Sequence, residues 1–242
     1  MIRFADAPAT CILLAANVLV FLAEERAGGS ARPDVALRFG AQSLSLLRRG
    51  QWWRLGAAMF LHFGFLHLLF NMYALWNLGP PLETVFGTVP FLALYLLSGL
   101  AGNLLTWYRE TRTREGRRSE TDANWNGGFF DRATEKNRRR CGASSRFFDN
   151  GTNEKDPFQE ANVPERRPTI SAGASGAVFG LLGAYLALAV LPSNWIVDIR
   201  SLATVLILNL VYGFSNKSIN MAAHLGGLLA GFLLSFLFLL FL

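Results

Sequence analysis

The amino-acid sequence predicts an all-α membrane protein, a bundle of six transmembrane helices with a long polar insertion between the third and fourth. Three observations predict it. Of the 242 residues 52% are hydrophobic and only 17% are charged, with a mean hydropathy of +0.29, a balance that soluble domains of this length rarely show. The charge is also unevenly placed: residues 109–169 hold 14 of the 23 Lys and Arg and 11 of the 17 Asp and Glu. The rest of the chain reads as six apolar stretches, each long enough, or nearly so, to cross about 30 Å of hydrocarbon. The net charge of +6 is split about evenly between the insertion and the remainder. No folded element concentrates basicity, which argues against nucleic acid as a partner and for the lipid bilayer with its anionic headgroups.

The first apolar stretch, 7–23, lacks a basic leader and a small-residue cleavage site, so it reads as a permanent span and not as a signal peptide. A connection with Gly28-Gly29, Pro33 and Trp53-Arg54 follows. The second span, 55–78, is expected to stop at Gly79-Pro80-Pro81. The third covers 89–108. The fourth, 175–191, is stopped by Pro192, the fifth covers 195–212, and the sixth runs from 220 to 242. Residues 1–108 thus carry spans one to three and 170–242 carry spans four to six of the same domain. Between them, 109–169 is rich in Arg, Glu, Asn, Gly and Thr without apolar periodicity, and is expected to be a disordered insertion. Cys11 and Cys141, one in a span and one in the insertion, are not expected to pair.

Polar residues inside the spans carry the functional signal, because such groups are costly at bilayer depth and mark sites by default. All three histidines, His62, His67 and His224, lie in apolar stretches. Ser175 opens the fourth span in the turn Gly173-Ala174-Ser175-Gly176. Successive spans alternate in direction, so the second, fourth and sixth enter from the same side. Ser175 and His224 then lie at similar depth, His224 about 6 Å into its helix. The fourth span is short, about 25 Å, so its N-terminal end is expected in a water-filled depression below the membrane surface. A helix N-terminus also offers unpaired N–H groups and a dipole that favours developing negative charge.

In the sixth span His224, Gly227 and Gly231 share one face, and Gly227-x-x-x-Gly231 permits close helix contact. Gly180 and Gly183 present a matching thin face on the fourth. His67 and Asn71, at i and i+4, share a face of the second span, and both can donate hydrogen bonds to an oxyanion. A serine with a histidine is the minimal pair for nucleophilic acyl transfer. Each feature alone has a blander reading, as helix-packing glue or as an interhelical hydrogen bond, but four must then coincide on one side of the membrane. On one helix His62 and His67 would point about 140° apart. That disfavours a metal pair on one helix face, and the absence of H-E-x-x-H argues against a zinc protease.

In this order the motifs resemble the rhomboid family of intramembrane serine proteases. They are Trp53-Arg54, His62, His67-x-x-x-Asn71, Glu83, Gly173-x-Ser175-Gly176 and Ala223-His224-x-x-Gly227-x-x-x-Gly231. The resemblance implies a six-helix rhomboid-like bundle in which Ser175 is nucleophile and His224 general base and acid. His67, Asn71 and the Ser175 N–H would hold the oxyanion, and Phe179 would stack on His224. Trp53, Arg54 and Glu83 would order the first loop and the turn after the second span, with His62 a supporting contact. The implied reaction is peptide hydrolysis through an acyl-enzyme, without cofactor or metal, and the implied substrates are transmembrane segments of other membrane proteins. The insertion stands where the family keeps a short connection.

The resemblance also implies a multi-pass protein whose site opens to the extracytoplasmic side. Arg26, Arg32, Arg38, Arg48, Arg49 and Arg54 in the first loop would, by the positive-inside rule, place that loop in the cytosol. The family orientation is the expectation kept. A catalytically silent rhomboid-like protein that binds transmembrane helices is the alternative. A six-span transporter has no charged pathway or inverted repeat to support it. Oligomeric state is not legible.

Overall fold

A computed structural model describes residues 6–126, 170–190, 204, 207 and 220–240. It is mostly helical. In chain order the elements are α1 (Pro8–Arg26), α2 (Pro33–Phe39), β1 (Gln42–Ser43), α3 (Leu44–Arg48) and α4 (Arg54–Ala57). A 3₁₀ turn (Ala58–Phe60) leads to α5 (Phe65–Phe86) and α6 (Thr88–Asn126). Then come β2 (Ile170–Ser171), α7 (Ser175–Val190) and α8 (Met221–Leu239). The chain forms two compact units, Met1–Glu110 with Pro168–Leu242, and Thr111–Arg167. Among the described residues three helices are long and apolar enough to cross a membrane, or four if α4 and its 3₁₀ turn count with α5 as one bent span. Helices thus occupy five of the six expected positions. The expected fifth span, 195–212, falls almost wholly outside the described residues.

Helix α1 starts with Pro8, whose missing N–H costs nothing at a first turn. Its N-cap, Ala7, has no side chain to take the next N–H groups. Glu83 does so from α5, accepting Ala9 N–H, Thr10 N–H and the Thr10 hydroxyl at 2.8 Å each. Glu83 therefore sits inside α5, one turn beyond Pro80-Pro81, and not in a turn after it. The expected stop at Gly79-Pro80-Pro81 is overturned, since α5 continues to Phe86. Prolines are tolerated in membrane helices when neighbours hold the element in place. Here Gly79 lies against Thr10, so closely that a Cβ would meet its Cγ2 and Oγ1 at 2.7 Å. Gly79 and Glu83 clamp α1 from both sides of the proline step.

The start of the second span is corrected as well. Leu61 is extended and Gly64 takes φ 85°, so the chain turns by 91° between Phe60 and Phe65. His62 lies in that turn and only His67 is on the helix. The third helix also passes its expected end at 108 and runs to Asn126. A Glu- and Arg-rich sequence favours such an extension, since both residues propagate a helix well. Residues 127–169 of the expected insertion lie outside the described residues.

Helix α7 is buried almost all round, which fits its uniformly apolar sequence. The surrounding core includes Leu75, Leu78 and Leu82 of α5, Phe91, Leu94 and Tyr95 of α6, and Leu181 of α7. The outer faces of α1, α6 and α8 expose Ile12, Leu19, Val89 and Leu233, as lipid-facing residues do. Before α7, Ile170–Ser171 pairs antiparallel with Gln42–Ser43 of the first loop. Asn220 caps α8, its Oδ1 accepting from Ala222 and Ala223 N–H. Its Nδ2 donates to Thr106 of α6 and Ser171 of β2, at 2.8 and 3.1 Å.

Candidate active site

The Ser175 hydroxyl stands at the first residue of α7, and its position is fixed by the turn before it. Gly173 has φ 137°, a conformation that L side chains rarely adopt, and its N–H donates to the Ala58 carbonyl at 2.9 Å. The short α4–3₁₀ segment thereby holds the loop that presents the serine. Sixteen residues give α7 a length of about 24 Å, short of the hydrocarbon thickness.

His224 is brought to Ser175 by a seam without side chains. A Cβ on Gly227 would collide with the Gly176 carbonyl, and one on Gly231 with the Gly180 carbonyl. Gly183 lies as tightly against Leu228 and Phe232. The partners of Gly227 and Gly231 are thus Gly176 and Gly180, in register, with Gly183 extending the contact. At this spacing His224 Nε2 lies 2.9 Å from Ser175 Oγ. One turn after the serine, Phe179 stacks on the imidazole with ring centroids 4.1 Å apart and planes 9° from parallel.

His67 enters from the first turn of α5. Its Nδ1 accepts the Phe63 N–H at 3.3 Å, which assigns the ring proton to Nε2 and makes that nitrogen a donor. A Cβ on Gly173 would sit 2.9 Å from His67 Nε2 and 3.7 Å from Ser175 Oγ. Glycine therefore places no side chain between these two groups. Asn71, one turn on, is 1% exposed. Its Nδ2 donates to the His67 carbonyl at 2.9 Å, and its Oδ1 is buried without a partner. His62 is fully buried, its ring edge-on to His67 with centroids 5.1 Å apart.

Trp53, Arg54 and Glu83 lie away from this cluster. Arg54 turns inward, donating to Gln51 Oε1 and to the Leu37 and Ala41 carbonyls. Its guanidinium also lies over the Trp53 ring, 4.7 Å from the centroid. It thus ties the end of α2 to the start of α4. Two contributors escape the sequence reading. Asn220 looks like an ordinary polar residue before a span, although its cap position was a readable signal. Glu24, fully buried in the last turn of α1, carried the signal of an acid inside an apolar stretch.

Residues 49–241 match the model of the Rhomboid domain. The chain belongs to the rhomboid family. This rhomboid is 31% identical to Rhomboid protease GluP of Bacillus subtilis over 92% of its own length and 33% of GluP's. It is 32% identical to YdcA of the same organism, over 78% of this chain and 68% of YdcA. To RHOMBOID-like protein 5 of Arabidopsis thaliana it is 32% identical, over 84% of this chain and 49% of that protein. It therefore spans a third of GluP and half of the plant relative. Family and apolar helices together make this rhomboid an integral membrane protein of a protease family whose members act on membrane-protein substrates.

Proposed function

We propose that this chain is an active intramembrane serine endopeptidase that cuts peptide bonds in or near transmembrane segments with a Ser175–His224 dyad. One observation carries the reading: the 2.9 Å contact between Ser175 Oγ and His224 Nε2 at the mouth of a short helix. His224 takes the Ser175 proton as Oγ attacks the scissile carbonyl, and returns it to the leaving amine. The oxyanion develops beside Gly173, where His67 Nε2–H and the Ser175 N–H donate. Asn71 adds its second Nδ2 hydrogen, the first being held by the His67 carbonyl. Water then releases the acyl group by the reverse use of His224. A substrate helix must open locally to present a carbonyl, so helix-breaking residues near the cut favour cleavage.

The site faces the extracytoplasmic side in this reading. In proteoliposomes with a model transmembrane substrate, Ser175→Ala and His224→Ala are each expected to lower cleavage by about 10⁴-fold or more while the protein still inserts. A fluorophosphonate should label Ser175 and need His224 to do so. Retained cleavage in either variant would sink the mechanism. A silent, helix-binding relative has no use for the Ser175–His224 contact.

A further inference from the structure

A carboxyl group at the end of α1 has no role in the chemistry above, yet it is fully buried. Glu24 takes the His62 N–H on Oε2 at 3.3 Å, while Oε1 is buried without a partner. It lies in the last turn of its helix, where the dipole disfavours an acid. Both ring nitrogens of His62 are likewise buried without partners. Such groups cost stability unless a function retains them.

Their place in the chain says what that function is. The turn His62-Phe63-Gly64 launches α5 and so sets where His67 stands. Three bonds fix this turn, two of them from the α1 end of the chain and one to His67 itself. Glu24 holds its first residue, Phe63 N–H holds His67 Nδ1, and Gly64 N–H donates to Ser30 Oγ at 3.2 Å. Ser30 is fixed in turn by Glu25, which accepts both its N–H and its hydroxyl. The His62 ring then braces His67 edge-on.

We infer that Glu24, with Ser30 held by Glu25, is a positioning device for the oxyanion donor His67, acting through the His62–Gly64 turn. It rests on the protease reading, and it makes the end of the first helix part of the catalytic geometry without touching substrate.

The test is a double-mutant cycle on the full chain in proteoliposomes. Glu24→Met keeps the length and removes the acceptor, and should lower kcat about 10- to 100-fold with KM changed less than about threefold. Glu24→Gln keeps an oxygen for the His62 N–H and should stay within about threefold of the parent. His67→Ala should cost about 100-fold or more. In that background Glu24→Met should add less than about threefold, because the group it positions is gone. Ser30→Ala, a milder lesion of the same turn, should lose its effect in the same way. Losses that multiply, or a Glu24→Met enzyme with unchanged kcat, overturn the inference while the protease reading stands. A parent chain that cleaves nothing overturns both.

Discussion

An imidazole that works without a carboxylate partner must be oriented by something else. In the proposed dyad, the face of Phe179 does this, parallel to His224 within 9° and 4.1 Å away. The stack restricts the ring to the plane in which Nε2 meets Ser175 Oγ. It also acts on the transition state, because the imidazolium formed there gains about 1–2 kcal/mol over an aromatic face. Phe179→Ala is therefore expected to reduce kcat about tenfold, corresponding to about 1.4 kcal/mol, whereas Phe179→Tyr should remain near the parent rate. Steady-state kinetics with a fluorogenic transmembrane substrate would measure both. Equal rates in the alanine variant would remove Phe179 from the mechanism.

Among elements, the seam between α7 and α8 carries the site. Gly227 and Gly231 let carbonyls of α7 take the space of side chains, so depth and distance of His224 follow from backbone contact alone. Gly227→Ala is expected to push the helices apart, lowering stability by about 1–3 kcal/mol and cleavage by about 100-fold. Thermal unfolding in detergent and the cleavage assay would read the two effects separately, and an unchanged rate would show that His224 does not depend on the seam. The sequence points to a close contact here, because glycines at i and i+4 thin one face of a helix. It pairs them with Gly180 and Gly183, whereas Gly227 and Gly231 meet Gly176 and Gly180. The His62 turn was not legible. Its 91° bend hides inside an apolar run, and Gly64 resembles any helix glycine until its φ of 85° is seen. Pro80-Pro81 misled for the opposite reason, because the contacts of Gly79 and Glu83 with α1 on either side of the proline step are tertiary.

At the scale of the whole molecule, the arginines of the first loop no longer oppose an extracytoplasmic site as strongly. Arg54 is buried and spent on the Leu37 and Ala41 carbonyls. Arg32 pairs with Asp34 only at the surface, so it still weighs on topology with Arg26, Arg38, Arg48 and Arg49. Beside them Trp52 and Trp53 are about half exposed, and Trp52 meets Trp107 of α6 edge-on at 5.4 Å. Exposed indoles at this level mark a membrane–water interface. With Cys11 and Cys141 replaced, an Arg49→Cys variant should react with a membrane-impermeant maleimide in intact cells. Labelling only after permeabilisation would put the first loop, and the site with it, in the cytosol.

The two-residue ladder between β1 and β2 has a consequence in time. About 130 residues separate Gln42 from its partner Ser171, and at roughly 5–20 residues per second the ribosome needs roughly 6–25 s to make them. Through that interval the first loop lacks the strand that leads into Gly173, and neither Ser175 nor His224 exists. In the proposed protease a nascent chain crowded among other inserting helices would therefore be harmless to them, and peptide-bond cleavage would begin only when the last helix arrives.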